Sequence, residues 1–372
     1  MSETTDPTWM ARALTLARRG RFTTDPNPRV GCVLVRDGQM VGEGWHERAG
    51  EPHAERHALA MAGDAAQGAT CYVTLEPCSH TGRTGPCAEA LVAAGVARVV
   101  VAMQDPNPQV AGRGLTRLRE AGIEVICGVL EADARALNPG FIRRMTEGRP
   151  WVRLKLAMSL DGRTAMASGE SQWITGPEAR EDVQQLRAAS SAIVTGIGTV
   201  LADAPSLTVR PGTWLRRRYL STPVRQPLRV VADRQLRTSS SAPVITGPGQ
   251  ALVLCAAGQA GSDAAEALRT AGAEVAAGDW TPAAILAALA ERECNEVLVE
   301  AGPTLAGAFL AAGCVDEVVV YMAPLLMGHA ARPLLHLPGL DTMADTLALS
   351  LHDVRQVGAD LRLTLRTSGG DA

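Results

Sequence analysis

Short apolar runs of strand length alternate with amphipathic helical stretches along almost the whole chain, and this alternation restricts it to an α/β fold. Val30 to Arg36 is predicted as a strand, Asp37-Gly38 as a hairpin turn and Met40 to His46 as the returning strand. Met10 to Arg19 reads as a short amphipathic helix ahead of them. A helix is expected over His53 to Met61, a strand over Ala69 to Leu75, and a helix over Cys87 to Ala94 closed by Gly95. A strand over Ala97 to Met103, a helix over Gly114 to Ala121 and a strand over Ile123 to Gly128 follow. This order predicts an α/β/α sandwich with a largely parallel sheet.

Glu147-Gly148-Arg149-Pro150 reads as a linker, dividing the 372 residues into expected domains 1–148 and 149–372. A new strand, Trp151 to Met158, follows it. Later strands are expected at Ala192 to Thr195, Leu228 to Ala232, Ala251 to Leu254, Glu296 to Glu300, Glu317 to Tyr321 and Leu361 to Leu365. Helices such as Glu178 to Ala188, Ala264 to Ala271 and Thr304 to Ala311 fall between them, so the second part is another α/β domain. Thr213 to Arg225, Arg-rich in its middle, reads as an exposed loop.

Composition excludes several function classes. The net charge is −3 and arginine is scattered, which argues against a nucleic-acid partner or a basic membrane anchor. No apolar run is long enough to span a bilayer, and Met1 to Thr8 is polar with no signal-peptide core, so a cytoplasmic protein is expected. A homo-oligomer is left open. A disulfide framework is not expected among the eight cysteines. Cys32, Cys71, Cys127 and Cys255 lie in apolar strands and read as small buried hydrophobes. Cys78 and Cys87 differ, because each follows a proline in a polar, Gly-rich loop. Lys155 is the only lysine, and it lies in the apolar run Trp151 to Leu156. A site that needs a compact ammonium cannot accept the forked guanidinium of arginine, so this lysine is a candidate functional residue.

His53-Ala54-Glu55 opens a predicted helix, Glu76-Pro77-Cys78 ends a strand, and Pro86-Cys87 opens the next helix. A catalytic zinc takes three protein ligands and keeps a fourth position for water, whose pKa it lowers to about 7. His53, Cys78 and Cys87 supply one imidazole and two thiolates. Glu55, two residues beyond His53, can face the same pocket without ligating and carry a proton. The competing reading is a closed structural site with His57, at i+4 from His53, as fourth ligand. A fourth protein ligand would block chemistry, and a staple has no use for Glu55. H-x-E followed by P-C and a second cysteine is the signature of zinc nucleobase deaminases. The common spacing there is C-x-x-C, whereas eight residues, Ser79 to Pro86, separate the cysteines here.

The longer motifs narrow the match. Pro26-Asn27-Pro28-Arg29-Val30-Gly31, His53-Ala54-Glu55 and the run from Thr74 through Cys87 resemble the bifunctional riboflavin biosynthesis deaminase–reductase family. Lys155 through Arg163, with Gly169 through Thr175, resembles the start of that family's reductase domain, and Glu300-Ala301-Gly302-Pro303-Thr304-Leu305 its later nucleotide loop. The resemblance covers nearly the whole chain. It implies a cytidine-deaminase-like N-terminal domain and a dihydrofolate-reductase-like C-terminal one. It implies two reactions on a phosphorylated pyrimidine ribosylamine: zinc-dependent hydrolysis of the 2-amino group, then NADPH-dependent reduction of the ribosyl group to ribityl. By the same resemblance Asn27 would hydrogen-bond the pyrimidine, and His46, His80 and Arg83 would line its mouth. Ala157, Trp173, Thr199, Asp203, Gly302, Pro303, Thr304, Leu305, Ala306 and Gly307 would contact NADPH. Ser171, Arg187, Leu207, Arg210 and Glu300 would contact the substrate of the reductase.

Physically, such a reduction needs a proton source beside the opening ribose and cations for phosphate. Lys155 suits the first and Arg187 and Arg210 the second. Without the resemblance, Arg187 would be read as part of a solvated helix face and Arg210 as a loop charge. Gly196-Ile197-Gly198 after a strand would let a cofactor approach the backbone closely, a weak signal that a plain turn also explains. Glu300-Ala301-Gly302-Pro303-Thr304, between a strand and a helix, is not the Rossmann G-x-G-x-x-G. Two other classes fit part of the chain: a nucleoside or tRNA deaminase with a binding-only second domain, and a zinc-stapled scaffold. Only the bifunctional reading predicts NADPH consumption.

Overall fold

In the computed structural model, which describes residues 5–79, 85–108, 110–210, 212, 214 and 224–367, the chain separates into two compact units, Met1–Gly148 and Arg149–Ala372. Gly148, in the left-handed region at φ 69°, ends the last helix of the first unit.

The first unit runs α1 (Asp6–Ala17), β1 (Gly31–Arg36), β2 (Gln39–Trp45), α2 (Ala54–Ala62), β3 (Thr70–Val73), α3 (Cys87–Ala93), β4 (Arg98–Val101), α4 (Arg113–Glu120), β5 (Glu124–Cys127), α5 (Glu131–Leu137) and α6 (Pro139–Glu147). The sheet order is β2-β1-β3-β4-β5. β1 pairs antiparallel with both β2 and β3, and only β3, β4 and β5 run parallel. The expected largely parallel sheet is therefore half antiparallel, because the β1–β2 hairpin reverses the chain before the first crossover. Strand alternation divides the core between two faces. Val33, Val35, Tyr72 and Val100 pack on one side with Met10 and Leu14 of α1 and Phe141 of α6. Cys32, Leu34, Cys71, Val73, Val99 and Val101 pack on the other with Ala58 of α2, Leu91 of α3 and Leu118 of α4.

Three local expectations change. α1 begins at Asp6, ahead of the expected start at Met10 and inside the polar N-terminal stretch. Asp6 is buried because it accepts hydrogen bonds from Tyr72 Oη (2.8 Å) and from both terminal nitrogens of Arg98 (2.9 and 2.7 Å). Cys127 is exposed rather than buried, since it ends the edge strand β5. Gly42 and Gly44 on β2 admit α2 at close range. A Cβ at these positions would lie 2.2 Å from Ala58 O and 2.7 Å from Ala54 O, so the approach that seats the N-terminus of α2 depends on them.

The second unit holds β6 (Trp151–Ser159), β7 (Arg163–Ala165), α7 (Pro177–Ala189), β8 (Ala192–Gly196), α8 (Ile197–Asp203), β9 (Leu228–Ala232), β10 (Ala251–Cys255), β11 (Glu274–Ala277), β12 (Glu296–Val299), β13 (Glu317–Ala323), β14 (Arg332–Pro333), β15 (Leu349–Val357) and β16 (Asp360–Thr367). Nine strands form one sheet in the order β11-β10-β9-β8-β12-β6-β13-β16-β15, and β14 pairs with β7 apart from it. Pairing is parallel from β11 to β13 and antiparallel through β16 and β15. Val152, Leu154, Val194 and Val299 face the helices Pro282–Glu291 and Pro303–Ala311. Ile193, Val231, Val253 and Leu298 face α7 and the helix Asp263–Thr270. β15 departs from the expected elements. It is an edge strand with most of its residues exposed, so it lacks the buried alternation that marks a half-buried strand. Most of the expected loop Thr213 to Arg225 lies outside the described residues.

Candidate active sites

The first site forms where three element ends meet. His53 is the N-cap residue of α2, Cys78 lies in the loop beyond β3, and Cys87 is the first residue of α3. Their ligand atoms lie within 4.8 Å of one another. His53 Nδ1 is 3.6 Å from Cys78 Sγ and 3.4 Å from Cys87 Sγ. Tetrahedral zinc bonds of ordinary length would set nitrogen and sulfur about 3.6 Å apart, so the donor set fits zinc. His57 is not among the converging groups; its Nε2 is buried without a hydrogen-bond partner.

The electrostatics favour a thiolate at Cys78. The Cys87 amide, at the start of α3, donates to Cys78 Sγ at 3.3 Å. Hydrogen bonding with the Cys87 side chain, then with His53, holds the Cys78 thiol down to about 4 against its burial. The same contact and burial push the Cys87 thiol up, while its bond to Cys78 pushes His53 up. Glu55 is 3 % exposed, and its carboxyl is raised by burial first and by the nearby Cys78 charge second. A carboxyl poised to hold a proton beside a metal site is what a shuttle requires.

Asn27 and His46 are brought to this site. Asn27 Nδ2 lies 3.1 Å from His46 Nε2, His46 Nδ1 lies 3.1 Å from Pro52 O, and the His46 ring meets the His53 ring edge-on with centroids 5.3 Å apart. Burial lowers the pKa of His46. His80 and Arg83 lie outside the described residues. Sequence reasoning overlooked Glu76. Its buried carboxylate accepts the backbone amides of Asp105 (3.1 Å), Gly112 (2.9 Å), Gly114 (2.8 Å) and Leu115 (3.3 Å), anchoring the loop that carries Cys78 to the start of α4. The available signal was its place in Glu-Pro-Cys at a strand end.

The second site is a cavity of about 970 Å³ in the second unit. Lys155, Ala157, Ser171, Trp173, Arg187, Thr199, Asp203, Leu207, Arg210, Glu300 and the stretch from Gly302 to Leu305 all line it. Lys155 projects from β6, opposite Val319 of β13. Burial lowers its pKa, and Glu300 and Asp203 pull it back up. Arg187 is no solvated surface charge: Nε and Nη2 donate to the Glu300 carboxylate at 2.6 and 2.9 Å, and Nη1 to Thr208 O at 3.3 Å. Arg210 is held by its backbone amide on Gln184 Oε1 (2.9 Å), and its side chain is exposed. Ser171 Oγ reaches Asp203 at 3.4 Å.

The nucleotide loop is built from two strand ends. Gly302 N donates to Thr199 Oγ1 at 3.1 Å, tying the start of the helix Pro303–Ala311 to α8. Thr304 and Leu305, in the first turn where amides have no partner within the helix, line the cavity, and a Cβ at Gly198 would meet nothing within 4 Å. These features fit a phosphate-bearing cofactor. Ala306 and Gly307 do not line the cavity. Helical rotation buries Ala306 in the core, and a Cβ at Gly307 would lie 1.9 Å from His336 O. Arg180 and Arg332 line the cavity and were overlooked by sequence reasoning.

The family described as RibD C-terminal domain matches residues 150–363, and the cytidine and deoxycytidylate deaminase zinc-binding region matches residues 3–103. The riboflavin biosynthesis protein RibD of Escherichia coli K12 is 54% identical over 366 residues, covering 97% of this chain and 99% of that one. The chain belongs to the RibD family. RibD of Acinetobacter baumannii, in a solved structure, superposes with a TM-score of 0.91 at 47% identity, covering 98% of this chain and 99% of the other. A Thermotoga maritima structure described as a diaminohydroxyphosphoribosylaminopyrimidine deaminase/5-amino-6-(5-phosphoribosylamino)uracil reductase superposes at 0.86 with 34% identity and the same coverage. As a RibD-family enzyme this chain is a bifunctional deaminase and reductase of riboflavin biosynthesis, with zinc in its deaminase domain and NADPH as the cofactor of its reductase domain. No helix among the described residues is long and apolar enough to cross a membrane.

Proposed function

We propose that residues 1–148 carry the deaminase and residues 149–372 the reductase, and that the two act in turn on 2,5-diamino-6-(5-phosphoribosylamino)pyrimidin-4-one. The convergence of His53, Cys78 and Cys87 with Glu55 buried beside them carries the reading. Held by these three ligands, zinc supplies a Lewis acid that acidifies water. Glu55 would take one proton from the attacking water and give it to the pyrimidine ring nitrogen, then take the second from the hydroxyl left at C2 and give it to the departing ammonia, leaving a carbonyl at C2. Its raised pKa supports both halves of that exchange. Asn27 would hydrogen-bond the pyrimidine, with His46 at its mouth.

In the second unit NADPH, held by residues of this cavity, would supply the hydride for the sugar C1. Lys155 donates a proton where the opening ribose develops negative charge on oxygen, which its depressed pKa favours. Arg187, oriented by Glu300, and Arg210 take the substrate phosphate, with Ser171 and Leu207 beside them. Trp173, Ala157, Thr199, Asp203 and the Gly302 to Leu305 loop take the cofactor. Both NADPH and a phosphorylated substrate belong to cytoplasmic pools, so the enzyme acts there.

The test is to incubate the purified protein with the diaminopyrimidine ribosylamine phosphate, with and without NADPH, and to identify products by mass. Deaminated product alone is expected without NADPH, and the ribityl product with it. Conversion to the ribityl compound without deamination, or no loss of ammonia at all, rejects the assignment. Separate pieces 1–148 and 149–372 are expected to divide the two activities between them.

A further inference from the structure

Trp173 is the one aromatic among the described residues that line the reductase cavity, and it is 65% exposed. An indole so open to solvent needs something to hold its orientation. Arg180 supplies it. Its guanidinium lies 4.6 Å from the centroid of the Trp173 ring, and its Nη1 donates to Thr175 O at 2.6 Å. One cation therefore grips both the indole and the backbone two residues further on. This stack is the one ring contact of Trp173 among the described residues.

The support behind Arg180 is firm. It projects from the first turn of α7, and the residue before that helix, Gly176, donates its amide to Asp360 Oδ2 at 2.7 Å. Asp182 of α7 accepts from the buried Tyr321 hydroxyl at 2.6 Å and from Arg362 at 2.8 Å. α7 is thus pinned to β13 and β16, and Arg180 reaches from that fixed frame to the loop.

We propose that Arg180 is a positioning residue of the reductase: it stacks on Trp173 and hydrogen-bonds Thr175 to hold the indole as a wall of the NADPH site. The inference rests on the reading of this cavity as the reductase site. A cation over one face also draws on the ring's electrons, leaving the other face for the nicotinamide end of the cofactor. Arg180 acts through Trp173 and does not touch the substrate phosphate.

The test is NADPH titration of the full chain, following tryptophan emission transferred to the reduced nicotinamide, with Trp173→Phe identifying the share that belongs to Trp173. Wild type is expected to bind and show that share. Failure of wild type to bind NADPH overturns the reading of the cavity itself, before Arg180 is in question. Arg180→Met keeps much of the side-chain stem and removes the charge. It is expected to raise the Kd for NADPH about tenfold and to lose most of the Trp173 signal. Its KM for the deaminated, phosphorylated substrate is expected to stay unchanged, and kcat at saturating NADPH to fall less than KM for NADPH rises. Arg180→Lys is expected to recover part of the affinity. Unchanged NADPH affinity and Trp173 signal, with only a lower Tm, would show a structural role and overturn the proposal. A rise in KM for the phosphorylated substrate instead of NADPH would assign Arg180 to the phosphate and overturn it as well. Should Arg180→Met fail to fold, Arg180→Lys decides: intermediate affinity supports the proposal, and wild-type affinity with an unshifted Trp173 signal rejects it.

Discussion

Arg187 and Glu300 grip each other through two hydrogen bonds, of 2.6 and 2.9 Å, in the wall of the reductase cavity. The pair fixes the Arg187 guanidinium and places a carboxylate near Lys155. Burial lowers the lysine's pKa and Glu300 offsets part of that fall. In the proposed reaction the protonated lysine is the donor, so reductase activity is expected to fall as pH rises through this lowered pKa. Glu300→Gln removes the offset, and the alkaline limb of the kcat profile is expected to move to lower pH. Measuring NADPH oxidation on deaminated substrate across pH checks this. A limb that stays in place assigns the proton to another group.

Lys155 should not tolerate arginine. Lys155→Arg preserves charge, but a guanidinium with a pKa above about 12 barely donates a proton and directs its hydrogen bonds differently. The reductase is expected to be lost in both Lys155→Arg and Lys155→Ala, with deamination intact. A rate for the arginine variant within about threefold of wild type, under 1 kcal/mol of barrier, would mean that the single lysine is a compositional accident.

Glu55→Gln separates the metal from the proton shuttle. The variant keeps His53, Cys78 and Cys87, so metal analysis is expected to find about one zinc per chain. Deamination should drop about 10²–10⁴-fold, the usual range for general acid–base catalysis. NADPH oxidation on pre-deaminated substrate should continue. Near-normal deamination would remove Glu55 from the mechanism.

The first unit should weaken in acid. Arg98, more than any other group, holds the Asp6 carboxyl below its ordinary value of 3.8, with Tyr72 adding to the effect. A folded-state pKa below the unfolded one contributes stability above the unfolded value, and that contribution is lost as pH falls through the folded value. Urea unfolding of Asp6→Asn should therefore show a smaller loss of stability below pH 4 than wild type. Arg98→Ala, which takes the cation from a buried carboxylate and leaves it the Tyr72 hydroxyl, should cost about 3 kcal/mol at neutral pH. Equal acid sensitivity in Asp6→Asn and wild type would place the effect elsewhere.

Local signals made much of the molecule legible. The H-x-E and Pro-Cys motifs singled out the candidate zinc ligands and Glu55, because chemistry at a metal demands particular residue types at element ends. The lone lysine pointed to Lys155, and strand periodicity located nearly every buried strand. Long-range relationships were not written in any local window. The antiparallel half of the first sheet depends on which strands pair, and the exposure of Cys127 depends on β5 being an edge. Ala306 and Gly307 left the cavity because the helix Pro303–Ala311 turned them toward the core and His336. Arg187 met Glu300 across 113 positions of chain, and Glu76 gathered amides from residues up to 39 positions away. The sequence determined which side chains could do the chemistry, since that depends on residue type and nearby spacing. The tertiary structure decided which of them meet, because burial and partnership belong to packing between distant segments.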